Sequence, residues 1–113
     1  MHRVPPAVRN VLDGYVRLLR AQFGARVERV VLFGSYARGQ AKPDSDVDVL
    51  VVIDVLGPGE RGIAVDLAYD ATRECGRDAP LITPLVWTHA EHLDRVSRER
   101  RIALDIQREG VPL

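Results

Sequence analysis

The chain has 113 residues, 46% apolar and 28% charged, with 16 basic residues balanced by 16 acidic ones. This is the composition of one soluble globular domain, residues 1–113, with a modest core. Zero net charge excludes an overall basic field for gathering nucleic acid, leaving room only for a local patch. A single cysteine excludes an internal disulfide and fits a reducing cytoplasm, and no apolar run is long enough to span a bilayer or act as a signal peptide.

Pro5 and Pro6 suit a helix start, where a missing N–H does no harm. Val8, Val11, Leu12, Tyr15, Val16 and Leu19 then recur at helical spacing, and Gly24 is the expected C-cap. Arg9, Arg17 and Arg20 fall on or near the polar side as a solvated face. Arg26 to Phe33 reads as a first strand, Ser35 to Arg38 as a short helix, and Lys42-Pro43-Asp44-Ser45 as a turn. Asp46 to Val55 reads as a second strand, apolar on both faces and therefore central, with Asp54 as its terminator.

Gly57-Pro58-Gly59 breaks the chain, and Ala64, Leu67, Ala68, Ala71 and Cys75 form a second helical stripe closed by Gly76. Its small residues predict close packing on the sheet, with Cys75 buried in the stripe. Asp66 and Asp70, at i and i+4, read as a solvated face. Leu81 to Thr88 is a third strand that Pro84 confines to an edge or a bulge. Thr88-His89-Ala90-Glu91 is a capping box for the next helix. His89 and His92 lack the further ligands of a zinc set. Arg95, Arg98, Arg100 and Arg101 read as a solvated basic cluster, and Ile102 to Glu109 as a last helix ended by Gly110 and Pro112.

The chemistry concentrates between Leu32 and Val52. Gly34 follows an apolar strand at once. A helix start there presents free N–H groups to a phosphate, with the Ser35 hydroxyl as a further donor and Arg38 as a forked cation. An ordinary strand-to-helix turn with a capping serine would read the same way if it stood alone. Asp46 and Asp48 then share one face of the second strand with Leu50 and Val52, while Val47, Val49, Val51 and Ile53 line the other. Their Cα atoms would lie about 6.6 Å apart, close enough for both carboxylates to hold Mg²⁺, a hard cation that suits oxygen ligands. Two near-motifs fail. Gln40-Ala41 stand where a P-loop needs Lys and Ser/Thr, and Val49 and Val55 stand where an EF-hand needs Gly and Glu.

Gly34-Ser35-Tyr36-Ala37-Arg38-Gly39 followed by Ser45-Asp46-Val47-Asp48 resembles the G-S-x-A-R-G…S-D-x-D signature of nucleotidyltransferases of the DNA polymerase beta superfamily, in their minimal (MNT) form. The resemblance implies an α/β (α+β) fold with a short mixed β-sheet and helices packed on it. It implies that Gly34, Ser35, Arg38 and Ser45 bind a nucleoside triphosphate such as ATP, and that Asp46 and Asp48 are catalytic and hold Mg²⁺. It also implies a third carboxylate on a later strand, but Leu81 to Thr88 contains no Asp or Glu. Thr83 takes that place, and Asp78 and Glu91 are the flanking acids left to reach in. Two readings follow. In one, the domain transfers AMP to a hydroxyl of a partner, which the resemblance implies is a HEPN-type toxin. In the other, it is a catalytically impaired module that binds nucleotide and partner. Self-association as a homo-oligomer is left open.

Overall fold

The computed structural model describes residues 4–42 and 45–113; Pro43 and Asp44, the centre of the expected turn, lie outside the described residues. The elements run α1 (Pro6–Phe23), β1 (Val27–Phe33), α2 (Ser35–Arg38), β2 (Val47–Ile53), α3 (Glu60–Cys75), β3 (Ile82–Thr88), α4 (His89–Ser97), α5 (Arg101–Glu109) and β4 (Val111–Pro112). A single 3₁₀ turn, Gly24–Arg26, joins α1 to β1. The strands form one mixed sheet in the order β3-β2-β1-β4. β1 is antiparallel to both β2 and β4, whereas β2 and β3 are parallel. A parallel pair needs a crossover, and α3 supplies it.

The alternation of side chains along β2 sorts the core into two layers. Val47, Val49, Val51 and Ile53 pack with α1 and α3 on one face. Leu50 and Val52 pack with Val31, Trp87, Ala103 and Ile106 on the other, under α4 and α5. Every residue of β2 except Asp48 is buried, which is the central, covered position expected of a strand apolar on both faces. β3 is the edge strand. Pro84 causes no bulge, because the pairing with β2 runs unbroken from Val47↔Ile82 to Ile53↔Thr88. A proline without an N–H costs nothing on the open side of an edge.

α1 buries Val8, Val11, Leu12, Tyr15, Leu19 and Phe23, the expected stripe extended by one turn, with Val16 only partly buried at its margin. The Tyr15 hydroxyl donates to the Ala64 carbonyl at 2.8 Å and ties α1 to α3, and burial pushes its pKa well above the usual phenol range. α3 buries only Ala64, Ala68 and Ala71, so small side chains bring it close to α1 and the sheet. Cys75 is exposed, contrary to the expectation of burial. It is the last residue of α3, one turn beyond the last buried alanine, and lines an open hollow with Ala7 and Asn10 of α1. Arg17 on α1 pairs with Glu74 on α3 across the outside, and Asp70 pairs with Arg73. The capping box at α4 forms as expected, with Glu91 N–H donating to Thr88 Oγ1 at 3.1 Å and Thr88 N–H to Glu91 Oε1 at 2.8 Å.

Two features of the fold go beyond the expected elements. β4 is one: Gly110 passes so close to Val31 and the Ile106 carbonyl that a Cβ there would overlap both, and the chain then pairs with β1. This return holds α5 across the Leu50 face of the sheet. The other is a clamp at the start of α3. The Arg26 guanidinium donates twice to Glu60, at 2.8 Å each, and the Gly57 N–H donates to Glu60 at 2.7 Å. The Arg26 bonds first, and the Gly57 bond second, pull the Glu60 pKa down to about 2. Among the described residues no helix is long and apolar enough to cross a membrane.

A folded-state pKa below the ordinary 4.5 means that Glu60 stabilises the fold above that pH and loses its contribution as pH falls toward about 2. Replacing Glu60 by Gln therefore lowers the melting temperature at pH 7 and flattens its fall between pH 4.5 and 2, as differential scanning calorimetry across that range reads. The exposed Cys75 reacts with a thiol reagent in the native protein at the rate of an unfolded thiol; strong protection would contradict its placement.

Candidate active site

The sheet brings the glycine bend and the second aspartate together. Asp48 is paired across β1 with Phe33 and across β3 with Thr83, and Gly34 is the next residue after Phe33. Gly34 has φ +77°, a conformation that L side chains rarely adopt, and a Cβ built on it would overlap the Asp48 carboxylate, 3.1 Å from its Cγ. The carboxylate thus occupies the space the glycine leaves. α2 is a single turn, closed by Gly39 at φ +71°, whose N–H reaches the Tyr36 carbonyl at 3.3 Å; the Arg38 N–H reaches the Gly34 carbonyl at 3.1 Å. Gly34 and Ser35 are partly buried and Arg38 is exposed.

Asp46 lies just before β2 and not within it, and is exposed. The strand is correspondingly shorter at both ends than the expected span from Asp46 to Val55. The two acids still act on each other. Burial comes first in raising the Asp48 pKa above the ordinary carboxylate value, and the Asp46 charge adds to it; the Arg38 cation pulls the other way. Among the described residues neither acid forms an ion pair, so these are the carboxylates available to a cation. Ser45 is partly buried, and its hydroxyl accepts from the Lys42 N–H at 2.8 Å while its own N–H donates to the Lys42 carbonyl at 2.9 Å. It pins the approach to Asp46.

Thr83 stands level with Asp48 on the neighbouring strand, and in a parallel pair the two side chains point to the same face. It is exposed at the sheet edge. Glu91 does not reach in. It caps α4 and pairs with Arg61 at 3.0 Å, at the Thr88 end of β3, five residues and about 17 Å along the strand from Thr83. Asp78 lies in the loop after α3, in a hollow shared with Ala7, Asn10 and Cys75. Among the described residues no group of three or more His, Cys, Asp or Glu is arranged to hold a metal ion.

A groove of about 380 Å³ opens beside the bend, between Phe33, Gly34 and Arg38 on one side and Ile102, Asp105 and Glu109 of α5 on the other. Glu109 reaches Arg38 at 3.4 Å across it. Nothing in the local sequence pointed to α5. Its part in the groove depends on the return through Gly110, a relation between distant segments. His89 pairs with Glu28 at 2.6 Å and His92 is buried beside Trp87, both away from the bend.

Comparison with known proteins bears on this geometry. The chain matches a family described as the nucleotidyltransferase domain over residues 12–103. It is 48% identical over 44 residues to the protein adenylyltransferase MntA of Thermococcus cleftensis, covering 39% of this chain and 42% of that one. It is 44% identical over 46 residues to "Putative protein adenylyltransferase MJ0604" of Methanocaldococcus jannaschii, covering 41% of this chain and 46% of that one. The matched stretches span less than half the length of these relatives. A crystal structure titled as a putative nucleotidyltransferase from Sulfolobus solfataricus aligns over 94% of this chain and 84% of that one, with a TM-score of 0.47 and 20% identity. On the family match, which takes in both the glycine bend and the aspartates, the chain belongs to the nucleotidyltransferase domain family.

Proposed function

We propose that this domain transfers the AMP group of ATP to a hydroxyl of a partner protein. The observation that carries the reading is the Asp48 carboxylate seated in the space left by Gly34, with Asp46 and Arg38 close enough to act on its charge. In this reading Gly34, Ser35, Arg38 and Ser45 hold the nucleotide, and Asp46 and Asp48 hold Mg²⁺. The donor set fits that ion: two hard carboxylate oxygen donors without ion-pair partners, one of them exposed, repel each other until a cation joins them. Mg²⁺, when bound, supplies positive charge against the phosphates. The acceptor oxygen forms a bond to the α-phosphorus, the bond to the β-phosphate oxygen breaks, and pyrophosphate leaves. Arg38 faces the charge that develops there. Thr83 cannot take up the acceptor's proton near neutral pH, so that proton goes to water or to a group the partner brings.

The names of the relatives favour a protein as acceptor, and the resemblance favours a HEPN-type toxin in that role. One observation favours a second reading, in which the module binds nucleotide and partner without turnover. Thr83 is level with Asp48, where the family's third carboxylate is expected.

Isothermal titration calorimetry tests the site: ATP binds in a Mg²⁺-dependent way, and Asp46→Asn with Asp48→Asn weakens it at least about tenfold. Equal binding by wild type and variant removes the metal assignment. Incubation with labelled ATP and a HEPN-type partner separates the two readings. Transfer of label by the wild type supports the enzyme, and Thr83→Asp then raises the rate by about a hundredfold. A stable complex that takes label only with Thr83→Asp identifies the module.

A further inference from the structure

Building on the nucleotidyl-transfer reading, we propose that the groove between α2 and α5 takes the purine base of the nucleotide and that Asp105 reads its exocyclic amine. The groove begins at the bend itself, since Gly34 and Arg38 form part of its wall. A nucleotide whose phosphates rest on that bend places its nucleoside in the adjoining hollow. At about 380 Å³ the hollow is of ligand-pocket size, within the usual range of about 300–1,000 Å³.

The chemistry of the walls suits a flat ring with a polar edge. Phe33 and Ile106 supply apolar surface, and Ile102, 46% exposed, presents a large aliphatic side chain that the core does not use. Arg101, 95% exposed and held among the described residues only by a 3.9 Å ion pair with Asp105, can lay its guanidinium plane on a ring face. The polar edge meets an acceptor. Asp105 Oδ1 takes a hydrogen bond from Arg108 at 3.1 Å, but among the described residues Oδ2 has only the Arg101 Nε at 3.9 Å, too far for a hydrogen bond. That oxygen keeps its lone pairs for a donor. The amine of adenine is such a donor. The carbonyl of hypoxanthine, at the same ring position, sets lone pairs against lone pairs.

Equilibrium binding to the full chain with Mg²⁺ tests this, using ATP, inosine triphosphate and inorganic tripolyphosphate as probes. ATP binds about tenfold more tightly than inosine triphosphate, as a hydrogen bond to a charged acceptor warrants. Asp105→Asn, whose amide can donate to a carbonyl, closes that gap. Ile102→Glu, at an exposed position that does not threaten folding, weakens ATP about tenfold and leaves tripolyphosphate unchanged. Equal affinity for ATP and inosine triphosphate, or ATP binding untouched by Ile102→Glu, overturns the base pocket even while tripolyphosphate binds. If tripolyphosphate fails to bind, or binds equally to the variant carrying Asp46→Asn and Asp48→Asn, the phosphate and metal site fails and the base pocket fails with it.

Discussion

Asp48 is a carboxylate on a strand that is otherwise sealed on both faces. A charge in that position is costly unless it has an outlet, and burial raises its pKa above the ordinary carboxylate value. The outlet is Gly34. The missing side chain of that residue, at a φ that favours glycine, leaves the space the carboxylate fills. Other features of the site follow from this fit. The bend must come directly after Phe33, because Phe33 is the cross-strand partner of Asp48. β2 must sit between β1 and β3, so that one neighbour supplies the bend and the other supplies Thr83.

The same constraint explains why the site sits where it does on the sheet. Toward its far end the Leu50 face is closed by Trp87, Ala103 and Ile106 under α4 and α5. It stays open only beyond Leu50, where the side chains turn from apolar to acidic. Clamping at the other end is strong. Arg26, Glu60 and the Gly57 N–H lock the start of α3, and Arg61 with Glu91 ties α3 to α4. The domain is thus anchored at one end of its strands and open at the other.

Electrostatics at the open end are balanced, not basic. Arg38 is held at 3.4 Å by Glu109, and Arg108 pairs with Asp105. No broad positive field surrounds the bend, in keeping with a chain whose net charge is zero. The arginine cluster around residues 95–101 is distributed among local partners: Arg95 lies over the Trp87 ring at 4.8 Å and Arg98 pairs with Asp94.

The sequence alone determined the elements before β4 and most of their faces. Period-2 alternation placed Asp48 on the face of Leu50 and Val52, opposite Val47, Val49, Val51 and Ile53, and the sheet bears this out. Helical spacing found the α1 stripe, Pro84 narrowed β3 to an edge or a bulge, and Thr88 with Glu91 marked the start of α4. These are local facts of periodicity and backbone chemistry. What the tertiary structure alone decided were relations between distant segments. Cys75 falls outside the core, at the end of α3 in a hollow beside the start of α1. Glu91 is removed from the site because a parallel register carries it to the other end. Asp105 and Glu109 face Gly34 because β4 folds α5 back over the sheet. No local pattern encodes such distances, since they are set by the sum of register, crossover and packing over the whole chain.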